Sequence, residues 1–202
     1  MIARDANPIS HVWTADGLVL PPGKRYDVLV RWPQPGTQTL PTLPYSTGPD
    51  GDNYPERRLM TFHVKGAAVP DTAWPRSLAP ASPLGTAHVD RTRHLVFSEN
   101  TKTNQFFING KQFDATHINF VAKLGDTEEW TITNVSGEQH PFHIHVNDFE
   151  VMSVNGRAQH LYGEQDTVPY RHTARSRSAC TSPATSARRS STATSWLTRT
   201  TA

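Results

Sequence analysis

Apolar residues recur in short runs through the middle of the chain, at the spacing expected of β-strands. Between residues 91 and 170 these runs read RHLVFS, QFFING, HINFVA, EEWTITN, PFHIHV and FEVMSV. Turn signals, such as the NG pair at residues 109–110, separate them. Short runs rich in Val, Ile, Thr and Phe that are broken in this way are typical of a β-sandwich or barrel. We therefore predict an all-β domain over residues 91–170.

Residues 1–66 carry a second and less complete strand pattern. The PPG sequence at residues 21–23 predicts a turn, and the alternation of Tyr26, Val28 and Val30 predicts a half-buried strand after it. RLMTFHVKG predicts a further strand, with a loop rich in Pro, Gly and Asp between the two. Because the partners of these strands are not evident in the sequence, we interpret residues 1–66 as the C-terminal remnant of a preceding β-domain.

Two stretches lack any apolar periodicity. Residues 67–90 are dense in Pro, Ala and Ser, which is typical of an extended linker between domains. Residues 171–202 consist almost entirely of Arg, Ser, Thr and Ala. Because a segment of this composition buries too little apolar surface to offset the loss of chain entropy, we predict a disordered tail that adds no strand to the core.

The basic charge of the chain is concentrated in that tail. The formal net charge is +2 and the pI is near 8.8, but six arginines and no acidic residue fall within residues 171–202. The preceding 170 residues therefore carry a formal charge of −4, which gives no support for a nucleic-acid partner. No run of about 18 apolar residues occurs, so we predict no membrane segment. The single cysteine, Cys180, excludes an internal disulfide.

Three histidines fall within six positions of the segment GEQHPFHIHVNDFEVMSVNG, residues 137–156. Side chains alternate between the faces of a strand, so His143 and His145 are predicted to project from one face, about 7 Å apart. His140 precedes Pro141, which cannot continue a central strand pairing, so His140 is expected to lie at the strand entrance and to point elsewhere. Because clustered imidazoles are costly to bury without a metal, we predict that these three histidines are metal ligands.

The run HPFHIH, residues 140–145, with Phe149 after it, resembles the copper strand in the last cupredoxin domain of the multicopper oxidases, which include the laccases. FFINGKQFD and LGDTEEWTITN also resemble the approach to that strand, and LPPGKRYDVLVRW resembles the end of the domain before it. The resemblance covers residues 1–170. It implies a cupredoxin-like Greek-key β-sandwich that is incomplete in this chain, and it makes residues 1–66 the end of a preceding cupredoxin domain.

The resemblance also implies which copper each histidine binds. His140 would bind the type 1 copper that takes electrons from substrate, His143 the type 2 copper, and His145 one of the type 3 pair. The family activity is one-electron oxidation of phenol-like or metal-ion substrates, coupled to reduction of O2 to water. The implied partners are a small-molecule reducing substrate and O2, and the implied location is secreted, periplasmic or in the cell envelope.

The sequence lacks two parts of the family's copper machinery. In the family, a His-Cys-His-x-x-x-His segment supplies the type 1 thiolate, whereas Cys180 has no flanking histidine and receives no role. The first-domain His-x-His pairs that complete the cluster are also absent. A shifted reading frame of SSTATSWLTRTTA permits Val-Phe-His-Cys-His-Ile-Leu-Ala-His-Glu-Asp-Asp-Gly, so we hypothesise a frameshift near residues 168–171 and an out-of-frame tail. We accordingly expect a fragment that does not oxidise substrate by itself.

Two alternative functions stay open on the sequence. Gly137, His143, His145, Glu150 and Gly156 approximate the first motif of the cupins, which would make the protein a mononuclear metal-binding protein, although no second cupin motif follows. The other alternative is a non-catalytic cupredoxin-like structural module. The intact histidine triplet argues against the module, because loss of function should remove costly metal ligands first.

Overall fold

A computed structural model describes residues 1–32, 34–67, 69–70, 72–78, 80, 83–159, 163–171 and 174–181, and for residues 83, 175, 177 and 179–181 it describes the backbone alone. A 3-10 turn spans Pro83–Thr86. The strands within these ranges are β1 (Ala3–Arg4), β2 (Asn7–Pro8), β3 (Tyr26–Asp27), β4 (Gly36–Thr42), β5 (Tyr45–Ser46), β6 (Asn53–Tyr54), β7 (Arg57–Val64), β8 (Arg91–Asn100), β9 (Gln105–Ile108), β10 (Thr127–Asn134), β11 (His140–His143), β12 (Phe149–Val154), β13 (Arg157–Ala158), β14 (Thr167–Tyr170) and β15 (Arg175–Thr181).

The largest sheet has six strands in the order β13-β12-β15-β10-β8-β9. Neighbouring strands pair antiparallel, except that β8 and β10 run parallel. β11 and β14 form a separate antiparallel pair, and buried side chains from both sheets meet in one core. The regular secondary structure of the described residues is nearly all β, as the sequence predicts, and the two packed sheets make a sandwich.

Phe142, on β11, is at the centre of this core. The distances between its ring centroid and those of its neighbours are 5.5 Å for Phe149, 6.0 Å for Trp130 and Tyr170, and 6.2 Å for Phe97. All four contacts are tilted, which is a favourable arrangement for aromatic pairs. Because Phe142 stands between two of the predicted metal ligands, the packing of the sandwich also fixes the strand that carries the histidines.

Five of the six strands predicted between residues 91 and 170 are confirmed, as β8, β9, β10, β11 and β12. The prediction for HINFVA is wrong, because residues 117–122 form no strand. Ile118 and Val121 are 57% and 73% exposed there. Phe120 packs instead with its ring 5.8 Å from that of Trp130. The apolar run therefore supplies one aromatic contact at the margin of the core.

The region before β7 differs from its prediction in two respects. The turn at residues 21–23 is confirmed, since Lys24 N donates to Pro21 O at 3.0 Å. The strand predicted after it is reduced to the two residues of β3, and Val28 and Val30 are exposed. The segment predicted as a loop contains β4, β5 and β6. β4 tolerates its proline because the pairing with β7 is interrupted there by a bulge.

β15 corrects the prediction that nothing after residue 171 adds a strand. It lies between β10 and β12 and pairs with both. Ser176 and Ser178, which face the core, are each 1% exposed. Backbone hydrogen bonds to two neighbours can hold such a strand without apolar side chains, which is why the periodicity did not indicate it. Residues 182–202, the rest of the predicted disordered tail, lie outside the described residues.

The predicted linker, residues 67–90, is anchored at its end. In its described parts the chain forms the turn at Pro83–Thr86, which contacts β12 and β15, and Leu84 is 4% exposed. The domain boundary in this region stays a prediction. Across the described ranges, no helix has the length and apolar character needed to cross a membrane.

Glu128, near the start of β10, forms an ion pair whose strength depends on pH. Arg93 Nε and Nη2 each donate to the Glu128 carboxylate at 2.6 Å, and Trp130 Nε1 donates to it at 3.0 Å. Burial alone would raise the pKa of Glu128, but these donors and the guanidinium charge lower it below its ordinary value of 4.5. The pair therefore stabilises the fold above that pH, and the stabilisation is lost as the pH falls through the lowered pKa.

We expect Glu128→Gln to lower the free energy of unfolding by about 2 kcal/mol at neutral pH, because a neutral acceptor replaces an ionised one. Urea unfolding of both proteins at neutral pH and at about pH 3 should show the difference shrinking in acid. A difference of equal size at both pH values would contradict an ionic origin.

Candidate metal centre

β11 and the residues after it divide the three histidines between two environments. Phe142 and Ile144 point into the core and are 6% and 9% exposed. His143 and His145 alternate with these buried residues. Their ring centroids are 5.8 Å apart and their ring planes are inclined by 75°. The prediction that these two imidazoles lie side by side is confirmed.

His143 is oriented by β14, which places Thr167 opposite it in the strand pairing. The Nδ1 atom of His143 lies 2.9 Å from Asp166 O and 3.0 Å from Thr167 Oγ1. A carbonyl oxygen only accepts hydrogen bonds, so Nδ1 carries a proton, and in the neutral imidazole Nε2 is then the nitrogen with the lone pair. Histidine ligands of metals are commonly held in this way, with the second nitrogen donating to a carbonyl or carboxylate. Nε2 of His143 is thus prepared to bind a metal.

His145 lies beyond the end of β11 and is exposed. The chain turns directly after it, where Val146 has a φ of 78°. A β-branched residue is strained in this left-handed region, and such strain persists only where the surrounding structure fixes it. The turn ends the strand at His145 and leaves its ring against that of His143.

His140 lies in an aromatic pocket at the start of β11. Its ring is edge-on to those of Phe97 and Phe106, at 6.1 Å and 5.8 Å between centroids, and its side chain is 20% exposed. Glu99 Oε2 lies 3.8 Å from His140 Nε2. Burial lowers the pKa of His140 below its usual range, which favours the neutral imidazole that binds metals.

The loop before His140 is held by the hairpin of β5 and β6. Gln139 N donates to Thr47 O at 2.6 Å, and Asp50 N donates to Gly137 O at 3.2 Å. The Tyr45 hydroxyl donates to Gln139 Oε1. A cavity of about 480 Å³ lies at this junction, lined by Tyr45, Ser46, Thr47, Gly48, Pro49, Asn53, Gln139 and Arg171. The hairpin therefore determines where β11 begins.

We expect Gly48→Ala to separate this hairpin from the loop, because a Cβ at Gly48 would overlap the carbonyl oxygen of Gly137. Gly48 also has a φ of +141°, which side chains other than glycine rarely adopt. Gly36→Ala is the matched control, since Gly36 has a φ of +142° and nothing within 4 Å of a Cβ. Thermal unfolding should show a loss of about 1–3 kcal/mol for Gly48→Ala beyond that of the control. Equal losses would show that the contact with Gly137 contributes nothing.

The described residues contain no group of three or more His, Cys, Asp or Glu side chains that could hold a metal ion. The strand register places Cys180 opposite Glu128 and Phe149. Asn134, at the other end of β10, donates to Glu138 O in the loop before His140. The register therefore gives Cys180 no position beside that histidine.

The cupin alternative is not favoured. Glu150, which it would need as a ligand beside His143 and His145, is 1% exposed, and its Oε2 accepts a hydrogen bond from Gly85 N at 3.1 Å. Burial raises the pKa of Glu150, which disfavours the ionised form that binds metals.

The sequence did not indicate the residues that orient His143. Asp166 and Thr167 follow a stretch without a motif, and the contact with His143 arises only from the pairing of β11 with β14. The TVPY run at Thr167–Tyr170 is short and apolar, which is the one signal that could have predicted a partner strand for the histidines.

Comparison with known families gives a match between residues 87–190, just over half of the chain, and the family model described as multicopper oxidase. The chain belongs to the multicopper oxidase family. The match contains all three histidines of the centre. The cupredoxin-like character that the sequence predicted for the sandwich is also found in its solved relatives.

Individual multicopper oxidases resemble longer or shorter parts of the chain. The chain is 31% identical over 170 residues to "Multicopper oxidase LPR1 homolog 5" of Oryza sativa, covering 76% of this chain and 26% of the relative. It is 43% identical over 67 residues to "Multicopper oxidase mco" of Staphylococcus aureus, covering 30% of this chain and 15% of the relative. The structure of a multicopper oxidase from Campylobacter jejuni, described as a metallo-oxidase, superposes with a TM-score of 0.76 at 24% identity, over 90% of this chain and 42% of that one. The chain thus spans about a quarter or less of these two curated relatives.

Proposed function

We propose that the chain supplies copper ligands to a multicopper oxidase, and that His143 and His145 bind copper at the trinuclear cluster of that enzyme. One observation carries the proposal: His143 is held through Nδ1 by Asp166 O and Thr167 Oγ1, with Nε2 left as the ligand atom beside the His145 ring. An ordinary surface histidine does not need two acceptors on one nitrogen. Membership of the copper family supports copper over other metals that imidazole binds.

The finer assignment follows the division between the two environments. We assign His143 to the type 2 copper, His145 to the type 3 pair and His140 to the type 1 copper. The aromatic pocket around His140 supports its separation from the other two, because this imidazole packs against Phe97 and Phe106 instead of against His143. His140 is the only type 1 ligand that we place within the described residues, so the thiolate of that site must come from elsewhere.

Bound copper would supply one-electron redox chemistry, which in the family couples oxidation of a phenol-like or metal-ion substrate to reduction of O2 to water. The residues of this chain position the imidazoles, and burial favours the neutral form of His140. Two imidazoles do not complete a three-copper cluster, and the chain spans only part of its relatives. We therefore propose that the remaining ligands lie outside the described residues and that oxidase activity belongs to the whole enzyme.

Copper titration of the full chain tests this proposal. We expect Cu(II) to bind with an electron paramagnetic resonance signal that shows imidazole nitrogen coupling, and His143→Ala to weaken binding by more than about 100-fold, since even residues behind a ligand contribute 10–100-fold. His94→Ala is the control, because His94 is an exposed histidine on β8. Copper that changes neither the spectrum nor the melting temperature would favour the non-catalytic module instead.

A further inference from the structure

A buried ion pair from the first part of the chain lies behind the histidine centre. Lys24 Nζ donates to Asp5 Oδ2 at 2.7 Å, and the two side chains are 1% and 0% exposed. Burial lowers the pKa of Lys24, and the hydrogen bond and charge of Asp5 oppose that shift. Neither residue contacts a predicted metal ligand directly. Their remaining hydrogen bonds show what the pair holds.

Both members of the pair bind the start of β14. Lys24 Nζ also donates to Gln165 Oε1 at 2.7 Å and to Thr167 O at 2.8 Å. Asp5 Oδ2 accepts hydrogen bonds from Asp166 N at 3.1 Å and Thr167 N at 3.2 Å. The backbone N–H groups of Asp166 and Thr167 and the carbonyl of Thr167 are thus held by one buried pair at the point where β14 begins.

The backbone held in this way is the backbone that orients His143. Asp166 O and Thr167 Oγ1 are the two acceptors for His143 Nδ1. The Thr167 hydroxyl donates to Asp166 Oδ1 at 2.7 Å, so its lone pairs are left to face the imidazole. A rotation of the peptide unit at Asp166 would remove an acceptor from Nδ1 and allow the proton to move to Nε2.

We propose that Asp5 and Lys24 form a latch that positions the His143 imidazole, by fixing residues 165–167 so that Nδ1 of the ring donates to them and Nε2 faces away, available to copper. Asp5 and Lys24 are positioning residues in this arrangement, and Asp166 and Thr167 transmit their effect. The role rests on the proposed function of His143 as a copper ligand. It extends that function to a segment more than 110 residues earlier in the chain, which no motif connects with the histidines.

The hydrogen bonds of the pair indicate a role in positioning the backbone as well as in stability. Buried ion pairs can often be replaced by apolar residues of similar volume without loss of stability, so stability alone does not require one here. A fully hydrogen-bonded polar network does fix the rotation of the backbone groups that it binds. Both charged groups of this latch bind backbone atoms of the segment that faces His143.

The test is the tautomer of His143 in the metal-free full chain, read from the imidazole ¹⁵N shifts at neutral pH, together with Cu(II) affinity. Asp5→Asn removes the charge while keeping a residue that tolerates the φ of 50° at this position. We expect the His143 Nδ1–H form of the wild type to give way to a mixture of tautomers, and Cu(II) affinity to fall by roughly 10-fold. Thr167→Val, which removes one acceptor directly, should shift the tautomer in the same direction.

Glu128→Gln is the matched control. It also neutralises a buried carboxylate that is paired with a cation, but Glu128 lies on β10 and has no bond to β14. We expect it to lower stability without changing the His143 tautomer, and to leave Cu(II) affinity within about twofold. If Asp5→Asn does not fold, Gln165→Leu removes one of the three Lys24 bonds and gives the same readout. If Asp5→Asn or Gln165→Leu folds and His143 keeps the wild-type tautomer, the proposal is overturned.

The two proposals fail separately. If the wild type binds no copper, the proposed function fails, but a change of tautomer in the Asp5 variant still supports the latch. If copper binds through His143 and neither the tautomer nor the affinity responds to Asp5→Asn or Gln165→Leu, the latch alone is wrong.

Discussion

Phe149→Ala is expected to lower the free energy of unfolding by about 3–5 kcal/mol, the usual cost of removing a buried aromatic ring. Phe149 is fully buried, and its ring lies 5.5 Å from that of Phe142 at the centre of the core. A loss of this size is a large part of the stability of a typical domain. Because the cavity would open beside Phe142, β11 should loosen along with the core.

Denaturant unfolding of Phe149→Ala and of Phe113→Ala provides the measurement and its control. Phe113 undergoes the same chemical change but is 54% exposed, so its replacement should have an effect within about 1 kcal/mol. Similar losses of unfolding free energy in the two variants would mean that the buried aromatic cluster does not stabilise the sandwich more than an exposed ring does.

Lys24→Met is expected to be of comparable severity, about 3–5 kcal/mol, because it removes the buried cation of the Asp5 carboxylate and leaves only the half-exposed Arg25 guanidinium, 3.8 Å away. Asp5 would retain its hydrogen bonds from the backbone N–H groups of Arg25, Asp166 and Thr167. These bonds offset part of the loss, so the variant should still fold. Urea unfolding at neutral pH measures the loss.

A double-mutant cycle identifies the pair as the cause. Asp5→Asn combined with Lys24→Met removes both charges, so the double variant should be more stable than the sum of the single losses predicts, by about 2 kcal/mol. Strictly additive losses would show that Asp5 and Lys24 stabilise the fold independently.

The sequence predicted the centre more reliably than its surroundings. Alternation along a strand is a local rule, and it correctly placed His143 beside His145 and apart from the core residue Phe142. The residues that orient His143 lie at the start of β14 and, through Asp5 and Lys24, in the segments between the first strands of the chain. Contacts across such separations depend on which strands pair, and hydrophobic periodicity contains no information about that pairing.

The errors in strand prediction share one physical cause. HINFVA has strand-like composition but finds no neighbouring strand, and the segment RSRSACT has no strand-like composition but lies between two. Propensity for a strand measures how well side chains fit a half-buried pleated surface, and it is overridden where backbone pairing on both sides is available. β4 forms in a segment predicted as a loop because it pairs with β7, although on one side only.

β15 reverses the usual relation between position in a sheet and resistance to opening. Central strands normally exchange their amide hydrogens most slowly, because opening them exposes apolar surface. β15 is central, yet the side chains it buries at Ser176 and Ser178 are hydroxyls, so its departure would expose little such surface. Its release would leave unpaired edges on β10 and β12, and an extended strand from another polypeptide could add to either of them.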